Sequence, residues 1–132
     1  MALDAAAGAG TGVVRSIVGG KGHALASMAA VGLPVPPAFC VTAEWCENCA
    51  DDPAEVVDRM WQDVLGGLQW LEAQTKRTFG SGPHPLLLAV RSSGVTSMPG
   101  MLETILDVGI DDAVAAALAN LQSAEFARDT IE

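Results

Sequence analysis

Arg91 stands where an apolar run, Leu86 to Val90, gives way to a long segment of small residues, Ser92 to Met101, punctuated by Gly94, Pro99 and Gly100. A planar guanidinium at such a point suits bidentate contact with a phosphate. A second apolar-patterned run, Leu102 to Val108, carries Glu103, Thr104 and Asp107 between its apolar positions. Strand, glycine loop and strand can hold a cation, hydroxyls and backbone N–H groups around an anion. The loop is longer than a hairpin turn requires. Lys21 is a second cation in a glycine setting, in Gly19-Gly20-Lys21-Gly22 ahead of a helical pattern. Exposed N–H groups, the helix dipole and an ammonium all favour an anion there. The motif is not a Walker A loop, because Arg15 takes the first glycine position and Gly22 the Ser/Thr position. Taken alone, the glycine motif is more often a plain turn before a helix, and an Arg at a strand end also reads as a snorkelling side chain.

Other reactive groups carry less. Cys46-Glu47-Asn48-Cys49 has CxxC spacing, but a zinc site needs two more ligands, and the only histidines are His23 and His84. A redox role would need an activated thiolate at a helix start; ordinary thiols are the better reading. His23 has no carboxylate nearby in sequence to orient it. Glu103 and Asp107 would share one face of a regular strand, an arrangement common on solvated faces. No Ser/His/Asp grouping can be assembled, and neither a catalytic residue nor a metal ligand is assigned.

The elements that must position these groups follow from pattern. Residues 1–12 read as a flexible tail and 13–132 as one partial domain, with Val13 to Val18 a short strand. His23 to Val31 forms a helix with Leu25, Met28 and Ala29 on one face, closed by Gly32 and Pro34. The segment from Pro34 to Thr42 begins extended and becomes a strand; Thr42 caps a helix from about Ala43 with Glu44 in its first turn. Asp52 and Pro53 start a helix running from Ala54 to about Leu65. Gly66-Gly67 interrupts it, and Leu68 to Lys76 is a separate short helix with Leu68, Leu71 and Trp70 as its buried candidates. Asp111-Asp112 opens a helix from Ala113 to Gln122, and another begins near Ala124. The class is mixed α/β (α+β), few strands with several inserted helices.

Composition narrows the partners. The chain has 132 residues, 50% hydrophobic and 17% charged, enough for one modest core. Aromatics are 5% and tyrosine is absent, so little area is buried per residue and stability is expected to be marginal or to lean on a partner surface. A net charge of −9 argues against nucleic acid and anionic membrane as partners. No apolar stretch approaches the roughly 20 residues that span a bilayer. The N-terminus does not read as a secretory signal, and three cysteines in no evident framework suit a reducing, cytoplasmic setting.

Three ordered blocks resemble the pyruvate, phosphate dikinase family: residues 19–42, GGKGHALASMAAVGLPVPPAFCVT; residues 66–80, GGLQWLEAQTKRTFG; and residues 86–112, LLLAVRSSGVTSMPGMLETILDVGIDD. FARDT, residues 126–130, is similar to the family's following helix. The resemblance implies the N-terminal subdomain of an ATP-grasp-type nucleotide-binding domain. It implies an enzyme that moves phosphoryl groups from ATP and orthophosphate through a histidine to pyruvate, giving AMP, pyrophosphate and phosphoenolpyruvate, with magnesium. By the same resemblance Lys21 and Arg91 contact ATP phosphates, and Gly100 and Thr104 line the phosphate site. Ser97, Met98 and Met101 belong to the loop over the nucleotide. The chain departs from the family at Ser93-Gly94-Val95, where Gly-Ala is usual, and at Glu103, where Asp is usual.

The resemblance also implies what the chain leaves out: the second half of the ATP-grasp with its magnesium ligands, the phosphohistidine domain and the pyruvate-binding barrel. His23 is not the family's acceptor histidine. The expectation is a fragment that binds ATP, is inactive alone, and pairs with the remaining domains of a dikinase-like enzyme or with a full-length relative. Alternatives are a non-catalytic remnant or interaction module, which a pull-down with a larger relative would favour, and the same subdomain of a phosphoenolpyruvate synthase or antibiotic phosphotransferase. SMPGM, residues 97–101, favours the dikinase among these. A small redox or metal protein built on Cys46 and Cys49 is the remaining rival, settled by thiol titration and metal assay.

Overall fold

The computed structural model describes residues 15–42, 44–47, 53–92 and 104–131. The elements run α1 (Arg15–Ala30), α2 (Glu44–Glu47), α3 (Pro53–Thr75), β1 (Thr78–Phe79), β2 (Pro85–Leu86), β3 (Leu88–Arg91), β4 (Thr104–Val108), α4 (Asp112–Leu121) and α5 (Ala124–Ile131). Helices and short strands are thus mixed, as the α/β (α+β) reading expects. The described residues up to Leu71 form one compact unit and those from Glu72 a second.

In the first unit α1 is broken at Gly19, whose backbone (φ 70, ψ 178) lies in a region open essentially to glycine alone. Arg15–Val18 is therefore helical rather than a strand, while 13–14 lie outside the described residues. An apolar run this short has no periodicity to separate the two states. Beyond Gly19 the helix buries Gly22, Ala26 and Ala29, which share one face, and before it Val18 is buried. Val18 and Ala26 form a cluster against Ile17, Leu25, Ala38 and Cys40. Of the expected face of Leu25, Met28 and Ala29, Ala29 is buried and Leu25 packs on this cluster. Met28 departs from that face and is exposed, while Ala38 and Cys40 of the 33–42 segment pack on the Val18–Ala26 cluster instead. Gly32 (φ 81) ends the helix as expected: its N–H donates to Ala29 O (3.0 Å) and that of Leu33 to Met28 O (3.1 Å). That pair of bonds satisfies two carbonyls of the last turn.

Residues 33–42 form neither helix nor strand, so the expected strand is absent there; Phe39 makes an isolated bridge. Prolines at 34, 36 and 37 remove the N–H donors a ladder would need. Thr42 donates to Glu44 Oε2 (3.3 Å) at the start of α2. Trp45 then ties α2 to α3, with Nε1 donating to Asp63 Oδ2 (3.1 Å) and the Arg59 guanidinium 5.7 Å from its ring centre. The Arg59–Glu55 pair (3.6 Å) is exposed on both sides and adds at most ~0.5 kcal/mol.

The expected break at Gly66-Gly67 is also overturned: α3 is one helix of 23 residues that runs through both glycines. Tertiary contact explains the second of them. A Cβ at Gly67 would stand 2.5–2.7 Å from the Phe39 ring, so this glycine is a notch for an aromatic side chain, not a stop. Pro53 is the first helical residue as expected; its cap candidate, Asp52, lies outside the described residues.

In the second unit Lys76 (φ 58) closes α3, donating its N–H to Glu72 O (2.9 Å), and Glu72 Oε1 accepts from the N–H of Phe79 (2.8 Å). β1 and β2 pair in parallel over two residues, and β3 and β4 form an antiparallel pair. The helices follow local rules. Asp111 caps α4, its Oδ1 accepting from Val114 N (2.8 Å), and Ser123 Oγ accepts from Phe126 N (3.0 Å) at the start of α5. Val114, Leu118 and Ala127 form the core between these helices, with Leu87, Ile110 and Ala119 packed on it. Among the described residues three of the buried apolar side chains, Ala26, Ala29 and Ala127, are alanines, so each core is thin.

Candidate functional site

The two strands foreseen on either side of the Arg91 loop pair as the β3–β4 hairpin, and residues 93–103 between them lie outside the described residues. Leu88 pairs with Val108, Val90 with Ile105 and Arg91 with Thr104. Between the first two rungs β4 spends one residue more than β3, and Asp107 there adopts a left-handed conformation (φ 55). This is a bulge, and it removes Asp107 from the strict alternation that would align it with Glu103. Aspartate tolerates that conformation better than most residues. Glu103 itself lies outside the described residues.

The bulge sets the register of the last rung. Arg91 and Thr104 become direct cross-strand partners, a geometry that holds Cβ atoms about 4.5–5.5 Å apart on one side of the ladder. Both are exposed. A guanidinium and a hydroxyl therefore stand together where residues 93–103 leave β3 and enter β4. Such a pair offers several N–H donors and one O–H to an anion. Gly100, Ser97, Met98 and Met101 fall in that connecting segment and lie outside the described residues.

Lys21 belongs to the first unit. It is exposed in the first turn of the helical stretch that resumes after Gly19, where N–H groups lack partners further back in the helix. His23 is exposed two residues on, and its carbonyl accepts from Ser27 Oγ (2.8 Å). Cys40 is partly buried with Sγ donating to Val41 O (3.3 Å) and 3.7 Å from Val18 O. Burial pushes its thiol above the ordinary cysteine range. Of the CxxC pair, Cys49 lies outside the described residues. Among the described residues no group of three or more His, Cys, Asp or Glu could hold a metal ion, so they do not by themselves fit a magnesium site. No described helix is long and apolar enough to cross a membrane.

Sequence reasoning missed the Arg91–Thr104 pairing and the Trp45–Asp63–Arg59 cluster. The first depends on the bulge, for which Asp107 ahead of Gly109 (φ 107) was the only local signal. The second joins residues 18 apart and has no local signal.

No family model matches the chain. Curated relatives do. The chain is 42% identical over 121 residues, 92% of its length, to pyruvate, phosphate dikinase 1, chloroplastic, of Zea mays. It is 42% identical over 117 residues to pyruvate, phosphate dikinase 2 of the same plant, and 39% identical over 117 residues to the chloroplastic enzyme of Flaveria pringlei. The chain spans about 13% of the length of the maize relatives and 12% of that from Flaveria. These matches are those expected of a fragment of a pyruvate, phosphate dikinase.

Proposed function

We propose that the chain is an ATP-binding portion of a dikinase-like phosphotransferase, the N-terminal subdomain of an ATP-grasp-type domain. The observation that carries this reading is the identity to dikinases across nine-tenths of the chain. The cross-strand pair Arg91–Thr104 supports it, because a polyphosphate in transfer needs fixed cations and hydrogen-bond donors more than a nucleophile. Arg91 and Lys21 neutralise phosphate oxygens, Gly100 and Thr104 supply backbone and hydroxyl contacts, and Ser97, Met98 and Met101 cover the nucleotide. Magnesium arrives with ATP and is held by residues outside this chain. The acceptor histidine and the pyruvate site lie in the remaining domains, so the chain alone makes no AMP or phosphoenolpyruvate.

The test is calorimetric titration of the folded chain with Mg-ATP beside Lys21→Ala and Arg91→Ala. A charge-assisted hydrogen bond contributes about 1.5–3 kcal/mol, so each variant should weaken binding roughly 10- to 100-fold. Unchanged affinity in both variants would overturn the assignment of these residues. A folded chain that does not bind Mg-ATP at all would overturn ATP binding by this portion on its own.

A further inference from the structure

The β3–β4 hairpin is anchored at one end and bare at the other. At the anchored end Leu88 and Val108 are half-buried and Leu87 packs on the Val114–Leu118–Ala127 core. At the other end Val90 is 50% exposed, its cross-strand partner Ile105 58% and Leu106 61%. Val90 and Ile105 share a face; Leu106 follows Ile105 directly, where a strand turns its side chain to the opposite face. A solvated strand would alternate polar outward and apolar inward. A hairpin of two strands is marginal by itself and needs a further strand or a packed layer.

We propose that this bare end is a docking surface for dikinase polypeptide of the kind that makes up the rest of the longer relatives. The proposal rests on the dikinase reading above and names the surface through which that partnership is made. Two observations choose the occupant. The chain matches only 13% of the length of its maize relative, which leaves most of that polypeptide to provide a covering layer. The net charge of −9 makes a second copy of this acidic chain a poor cover. The next rung along the hairpin is Arg91–Thr104, so the layer that covers Val90 and Ile105 adjoins the proposed phosphate contacts. Docking therefore also strengthens nucleotide binding.

The experiment uses the whole chain and, as probe, maize pyruvate, phosphate dikinase 1 lacking the stretch that this chain matches. Capture is measured without nucleotide. The wild-type chain and Val31→Asp, an exposed apolar position in the first unit, should be captured equally, while Ile105→Asp loses at least tenfold in affinity. Ile105→Thr, which keeps the β-branched shape, controls for folding and should fall between. Lys21→Ala should be captured like the wild type, so the nucleotide reading can fail while the docking surface stands. Equal capture of Ile105→Asp and wild type overturns the surface. A concentration-dependent dimer of the chain that Ile105→Asp abolishes overturns the choice of occupant. Hydrogen exchange gives a second measurement, in a chimera of the maize enzyme carrying this whole chain in place of its matching stretch. Amides of residues 104–108 should exchange at least tenfold more slowly there than in the isolated chain, and equal exchange overturns the proposal even where the shortened maize probe does not fold.

Discussion

Replacing each of the adjacent glycines of α3 by alanine should move stability in opposite directions. An interior helical glycine costs about 0.8–1.0 kcal/mol relative to alanine. At Gly66 a Cβ would meet nothing within 4 Å, so Gly66→Ala should gain close to that full amount. At Gly67 the same backbone gain is opposed, because the new methyl would lie 2.5 Å from Phe39 Cδ2 and 2.7 Å from Cγ. The Cγ atom is close to the backbone and cannot swing away as a side-chain tip can, so Phe39 must leave its position as a whole. Overpacking of this kind costs ~1–3 kcal/mol. Gly67→Ala should therefore be neutral to about 2 kcal/mol destabilising, and the two variants should differ by roughly 1–3 kcal/mol. Urea unfolding followed by far-ultraviolet circular dichroism reads the difference. Adding Phe39→Ala to each variant separates the causes: the penalty should vanish at 67 and nothing should change at 66. Equal stabilisation by both single variants would falsify the account of Gly67 as a notch for Phe39.

Further predictions concern the second unit and Cys40. Asp111→Ala removes the acceptor for Val114 N and should cost about 1 kcal/mol, with faster amide exchange in the first turn of α4, whereas Asp111→Asn should stay near wild type; equal behaviour of the two would remove the cap from the account. Gly109→Ala should destabilise by about 2–4 kcal/mol, since φ is 107 and a Cβ would lie 2.6 Å from the Phe79 ring. Shortening Phe79 to alanine should recover only the steric part of that loss in thermal melts. The Cys40 thiol, raised by burial, should alkylate more slowly in the folded chain than in urea at pH 8, as peptide mass spectrometry can measure residue by residue. A raised thiol keeps the neutral form in the fold, so its contribution is present below the ordinary thiol range of about 8.5 and is lost as pH rises through the folded value. Cys40→Ala should flatten that alkaline loss; an unchanged profile would assign it elsewhere.

The two proposals answer one observation in different ways. Thin, alanine-containing cores and an apolar hairpin end suit a chain whose surfaces were shaped against more polypeptide than it contains. That view predicts that isolated stability and nucleotide affinity rise together when the covering layer is supplied, by mass action.

What the sequence determined by itself is what local chemistry decides. Gly32 ends α1 because a left-handed residue is needed to close the last turn, and Asp111 starts α4 because a carboxylate can reach the third N–H. Pro53 opens α3 for the matching reason, that its missing N–H would have had no partner. The strands on either side of the Arg91 loop were legible from their apolar runs, and so was the placing of Arg91 at the end of one of them. Tertiary structure decided the rest. Gly66-Gly67 looks like a stop until Phe39 is seen against it, and helical backbone persists because packing outweighs the propensity cost of about 1 kcal/mol per glycine. Prolines and small side chains made residues 33–42 a cover for α1 rather than a strand. Which hydroxyl faces Arg91 depended on one extra residue in β4: a shift of one position turns every side chain to the other face, and only the paired strand can set that position.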